Sequence, residues 1–140
     1  MQAVLLMTDM VNRLTTNNGA APCYITASSV YFGSNSTYAP TCSYGSIAQQ
    51  ASAINDLAAW DATLKGSSET LAGASVGGII GARGCVFYDS VADAYYVTVA
   101  WQGLGLTFAP PIANSCGANL YGDELSRRVV SATVKFGALH

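Results

Sequence analysis

Apolar residues return at helical intervals near the start of the chain. Within residues 2–16, Ala3, Met7, Met10 and Leu14 fall on one stripe, widened by Val4 and Val11, while Thr8, Asp9, Asn12 and Arg13 lie mostly opposite. The pattern predicts an amphipathic helix that fades into "TTNNGAAP", where Asn18, Gly19 and Pro22 are stop signals. A second helical pattern follows over 46–65. Ser46 and Gln49 have the spacing of a capping box, and Ile47, Ala51, Ile54, Leu57, Ala58 and Leu64 form the predicted stripe. Trp60 stands four residues before Leu64, close enough to touch it, and Gly66 sits at a C-cap position.

Beyond Leu71 the period changes to two. "SVGGIIGARGCVFYD" predicts a strand whose glycines allow a bend or bulge. "DAYYVTVAWQG" alternates more cleanly, with Tyr95, Val97, Val99 and Trp101 on one face and Tyr96, Thr98, Ala100 and Gln102 on the other. "DSVAD" between them suits a hairpin turn. Pro110 and Pro111 exclude helix and central strand from the next connection. In "LSRRVVSATVKF", Arg128, Val130, Ala132, Val134 and Phe136 share the inward face, and Arg127, Val129, Ser131, Thr133 and Lys135 the outward one. This places Arg128 at the rim of a last strand and predicts that Arg127 faces solvent. The expected class is α+β in one domain over 1–140: an N-terminal helix over 1–17, a connecting region over 18–70 containing the second helix, and an antiparallel sheet over 71–140.

Composition narrows the function classes. The chain has 140 residues, 51% of them apolar and 10% charged, with a net charge of −2. That is enough to build a core, and it places a general nucleic-acid binder at a disadvantage. Four cysteines stand at 23, 42, 85 and 116 without a C-x-x-C pair, and the single histidine is His140. Zinc spacing is missing, so disulfides are the better reading, with an oxidising compartment implied. Three pairings exist; Cys23–Cys42 with Cys85–Cys116 is favoured because each joins sequence neighbours. The first would fasten the long aperiodic stretch 17–45, and the second would pin the loop before the last strand. "AVLLMTDMVNRL" is too short and too polar to cross a bilayer, so an export signal ahead of Met1 is expected.

Catalytic chemistry has little support. Asp56 and Asp61 do not share a helix face, and Asp123 and Glu124 are adjacent in a turn. "GASVGG" and "GARG" match no phosphate-binding fingerprint. No catalytic, cofactor or metal residue is assigned, and no small-molecule substrate is expected. Arg83, Arg127, Arg128 and Lys135 could form a local basic patch for a partner or DNA, with ordinary surface and rim charges as the plainer reading. Tyr24, Tyr31, Phe32, Tyr38 and Tyr44 give the connecting region an aromatic character that suits either core cover or recognition, including that of a secreted carbohydrate-binding module.

Four segments together resemble a type IV pilus minor pilin of the PilV class: "QAVLLMTDMVNRL", "INDLAAW", "YVTVAWQG" and "CGANLYGDELSRRVV", in the family's order. They cover under half of the chain. The resemblance implies a pilin-like fold, a helix laid across an antiparallel sheet, and a portion lacking the hydrophobic N-terminal helix. It implies a noncovalent, non-enzymatic subunit that helps start pilus assembly and sits in the tip complex. Its partners would be other minor pilins, the major pilin and a tip adhesin. Its place would be the bacterial inner membrane, on the periplasmic face, and then the extracellular pilus. The alternatives are a DNA-binding minor pilin for DNA uptake and a pseudopilin of a type II secretion system.

Overall fold

The computed structural model describes residues 2–27, 29–67, 70–71, 74–75, 80–103, 105–110 and 114–136. Helix α1 (Gln2–Thr16) buries Ala3, Leu6, Met10 and Leu14. Leu6 takes the place the periodicity gave to Met7, which is only half-buried. The reason is a second neighbour: Trp60 donates from Nε1 to the Leu6 carbonyl at 2.9 Å, so that side of α1 is covered as well. A 3-10 segment, Asn18–Tyr24, follows and buries Ala20, Ala21, Cys23 and Tyr24. Strand β1 (Phe32–Gly33) lies in the connecting region, where the sequence pattern predicts no strand. Two residues are too few to display alternation.

Helix α2 (Ile47–Ser67) opens with the expected capping box. The Ser46 amide donates to Gln49 Oε1 at 2.8 Å and the Gln49 amide to Ser46 Oγ at 3.1 Å. The buried stripe is Ala53, Leu57, Trp60 and Leu64. Ile47 is 86% exposed, and Ala51 and Ala58 face solvent, so the expected stripe is corrected to one centred on Trp60. Gly66 lies inside the helix rather than after it.

Strands β2 (Thr70–Leu71) and β3 (Ala74–Ser75) form a small antiparallel pair. The main sheet combines β1 with β4 (Ile80–Asp89), β5 (Ala94–Gln102) and β6 (Arg127–Val134), in the order β1-β4-β5-β6 with every pair antiparallel. Residues 76–79, the front of the expected first strand, lie outside the described residues. The bulge that its glycines suggested falls between Ile80 and Arg83, where Gly81 has φ +65°. One sheet face carries Val86, Val97, Val99 and Val134 against the helices. Gly84 is the contact that matters there: a Cβ at this position would lie 2.3 Å from the Trp60 ring, so only glycine lets α2 lie this close to β4. The other face carries Cys85 and Ala100 beneath Cys116 and Tyr121.

Polar ties complete the frame. Tyr24 donates to Asp56 at 2.5 Å, Asn17 donates to the Tyr24 hydroxyl at 3.0 Å and to the Gln49 carbonyl at 2.9 Å, and Arg13 bridges Asp9 and Asp56. Both disulfides, Cys23–Cys42 and Cys85–Cys116, have the expected pairing. Among the described residues no helix is long and apolar enough to cross a membrane. The molecule is therefore α+β, with an N-terminal helix over a four-stranded antiparallel sheet.

Candidate functional site: a cleft beside the buried disulfide

The site begins at the outer edge of β4. Thr26 pairs with Val86 there: its amide donates to the Val86 carbonyl at 2.7 Å, and the Val86 amide donates to Thr26 Oγ1 at 3.1 Å. The chain rejoins β4 at Phe32, opposite Gly84. Only Cys85 separates these two anchors on β4, so the stretch between Thr26 and Phe32 must bow off the sheet. It carries Ser29, in the left-handed region with φ 70°, and Tyr31. The bow is fastened locally. Val30 donates to the Ala27 carbonyl at 3.0 Å, and Ser36 Oγ donates to the Tyr31 carbonyl at 2.6 Å while accepting from the Tyr38 amide.

A second loop faces it. Cys116 is held to Cys85, and the chain turns twice, with Ala118 bonding to the Ser115 carbonyl and Leu120 to that of Gly117. The Asn119 amide donates to Glu124 at 3.0 Å. Between the loops lies a cleft of about 360 Å³, floored by Cys85 and Phe87 and walled by Ser29, Tyr31, Ser115 and Asn119. A smaller hollow of about 200 Å³ shares Ser29, Val30 and Tyr31 and continues along Asn35–Tyr38. Neither is lined by a charged side chain. Four non-glycine residues among those described have left-handed backbone, and three of them, Ser29, Asn35 and Asn119, line these hollows. Such conformations cost free energy and persist where the surroundings hold them, which is common at binding sites.

Behind the cleft wall Arg83 is 6% exposed. Its guanidinium lies 5.1 Å from the Tyr31 ring centroid and 4.8 Å from that of Tyr121. Tyr121 donates to the Gly81 carbonyl at 2.6 Å, and burial raises its hydroxyl pKa against the opposing pull of Arg83. Arg83 pairs with no carboxylate among the described residues, and its Nε has no partner. Arg83 therefore positions Tyr31 rather than meeting solvent.

The expectation for Arg127 is corrected too. It is 2% exposed and bonded on every side. It pairs with Glu124 at 2.9 Å and donates to the Asn114 and Cys116 carbonyls at 2.9 and 2.8 Å. Burial alone would raise the Glu124 pKa; the hydrogen bonds from Arg127 and the Asn119 amide outweigh it and hold the carboxyl below its usual value. The alternation assigned Arg127 to the correct face, but the 114–126 loop roofs that face. Arg128 is half-buried and donates to the Leu125 and Gly105 carbonyls, and Lys135 is exposed. Arg83, Arg127, Arg128 and Lys135, the candidates for a basic patch beside the plainer reading of surface and rim charges, do not present one exposed cluster, because Arg83 and Arg127 are buried.

The arrangement offers rings, hydroxyls and amides, with no cluster of metal-ligating side chains among the described residues. It is suited to binding. Ser29, Phe87 and Asn119 were not marked by the sequence. The one available signal was the tolerance of asparagine for left-handed turns. No family model, no curated protein and no solved structure matches the chain.

Proposed function

We propose that this protein is a minor pilin of the type IV pilus, a noncovalent and non-enzymatic subunit that helps initiate pilus assembly and forms part of the tip complex. One observation carries the reading beyond the sequence resemblance. α1 buries Ala3, Leu6, Met10 and Leu14 against its own domain, yet Val4 and Leu5, 37% and 69% exposed, leave apolar surface on another side of the same helix. A helix with apolar residues on both sides can pack on its domain and on neighbouring helices at once. That is what a subunit needs when its helix continues into a filament core. In this reading the pilin-like fold, the inner-membrane origin and the contacts with other minor pilins, the major pilin and a tip adhesin belong together. The two disulfides suit a periplasmic and then extracellular life. DNA contact loses ground, because Arg83 and Arg127 are buried.

The test is genetic and biochemical. Deleting the gene in its native host should remove most surface pili, and the full-length protein should co-purify with the other minor pilins after mild detergent extraction. Normal piliation in the deletion strain together with no co-purifying pilin would overturn the proposal.

A further inference from the structure

The cleft beside Cys85–Cys116 has a chemistry of its own. Its lining is uncharged throughout, which disfavours ionic ligands, since a buried or half-buried charge needs a partner. It is also not simply apolar. Ser29, Ser115 and Asn119 place hydroxyl and amide groups around the rings of Tyr31 and Phe87. The adjoining hollow repeats the mixture with Asn35, Ser36 and Tyr38. Rings present a flat apolar face, while amides and hydroxyls both donate and accept. A pyranose ring presents the complement, an apolar C–H face rimmed by hydroxyls that also donate and accept. An extended peptide would instead seek a row of free main-chain groups. Here the β4 edge beside the cleft is already taken by Thr26 and by Phe32–Gly33.

The walls are set before any ligand arrives. The Cys85–Cys116 bridge holds one, the Ser36–Tyr31 and Thr26–Val86 hydrogen bonds hold the other, and Arg83 stacks on the Tyr31 ring from behind. Rigid walls lower the ordering cost of binding. The two hollows adjoin at Ser29, Val30 and Tyr31 and together make a trough, the larger hollow lying inside the usual range for small-molecule sites of about 300–1,000 Å³. We infer that this trough binds a neutral oligosaccharide, with a sugar ring stacked on Tyr31 and polar contacts from Ser29 and Asn119. The inference stands apart from the pilin reading, because it rests on the trough alone.

The experiment is an NMR titration of the ¹⁵N-labelled, oxidised protein with maltotriose, cellotriose and triacetylchitotriose, alongside the charged sialyllactose and a heparin tetrasaccharide. At least one neutral trisaccharide should shift amides within 29–38 and 115–120, with a Kd of about 0.1–1 mM. Tyr31→Ala should weaken binding about tenfold. Because Tyr31 also packs on Arg83, Asn119→Gly is the second variant. It keeps the left-handed backbone while removing the amide, and should weaken binding about threefold with an unchanged amide spectrum elsewhere. Lys135→Ala should bind like the parent. Silence from all three neutral sugars, response to the charged ones only, shifts outside the trough, or parent-like binding by both trough variants would each overturn the inference. So would concentration-dependent shifts of the same amides without sugar, which would put a second copy of the chain in the trough.

Discussion

Replacing Arg127 by methionine isolates the clamp that roofs the sheet. The side chain keeps an unbranched apolar stem that reaches about as far as Nε, but loses the rest of the guanidinium and with it every donor. Two carbonyls, those of Asn114 and Cys116, then lose their charged partner. A buried carbonyl left unpaired costs about 1–3 kcal/mol. The ion pair adds less, about 1 kcal/mol or below, because the Glu124 side chain is 31% exposed and water can replace Arg127 there. The sum is about 2–7 kcal/mol, which spans the range for breaking a buried charge network. For a chain of this size that corresponds to a fall in Tm of about 6–25 °C. Arg128→Met is the matched control. Its bonds to Leu125 and Gly105 are exposed, so the expected loss is below about 1 kcal/mol. Thermal unfolding followed by circular dichroism on oxidised protein reads both. The Glu124 carboxyl is held below its usual pKa, so its part of the stabilisation is present above the unfolded carboxylate pKa and is lost as pH falls through the folded one. The gap between Arg127→Met and the parent should therefore narrow in acid. If Arg127→Met melts within about 3 °C of the parent, or no lower than Arg128→Met, the clamp does not act as described.

Gly84→Ala should destabilise the protein by about 1–3 kcal/mol in urea unfolding, since the new methyl would press on Trp60 and Leu64. Under dithiothreitol without denaturant, Cys23–Cys42 should open before Cys85–Cys116; Cys42 is half-exposed, whereas Cys85 and Cys116 are each 1% exposed. Timed alkylation and peptide mapping give the order. Tyr24 is raised well above the ordinary tyrosine pKa, first by burial and then by its hydrogen bond to Asp56. Its contribution is complete below the unfolded tyrosine value of about 10 and falls as pH rises beyond it. Tyr24→Phe should flatten the loss of stability above that pH in alkaline urea titrations.

The two helices, three long strands, the bulge and the capping box were legible because each is a local pattern that repeats or a motif with fixed spacing. The pairing of the cysteines followed from nearness in sequence. What escaped depends on contacts far apart in the chain. The α2 stripe was displaced because Trp60 needs the gap at Gly84, and no helical period records a glycine on a distant strand. Arg127 was placed on the right face, yet its burial comes from a loop that returns over the sheet. Leu6 was missed because a second helix, not the sheet alone, covers α1. The cleft was least legible of all. It arises from a mismatch in chain length between two anchors on β4, and its key residues, Ser29 and Asn119, carry no periodic signature.

That mismatch also separates two evolutionary tasks. Because Thr26 and Phe32 fix the ends of the bow independently, its interior can be rewritten or lengthened while the sheet register stays put. Doubling such an excursion costs only about 0.6 kcal/mol in closure entropy. Selection can thus retune exposed positions such as Ser29, whereas at Tyr31, packed on the buried cluster around Cys85 and on Arg83, the bow and the interior must change together.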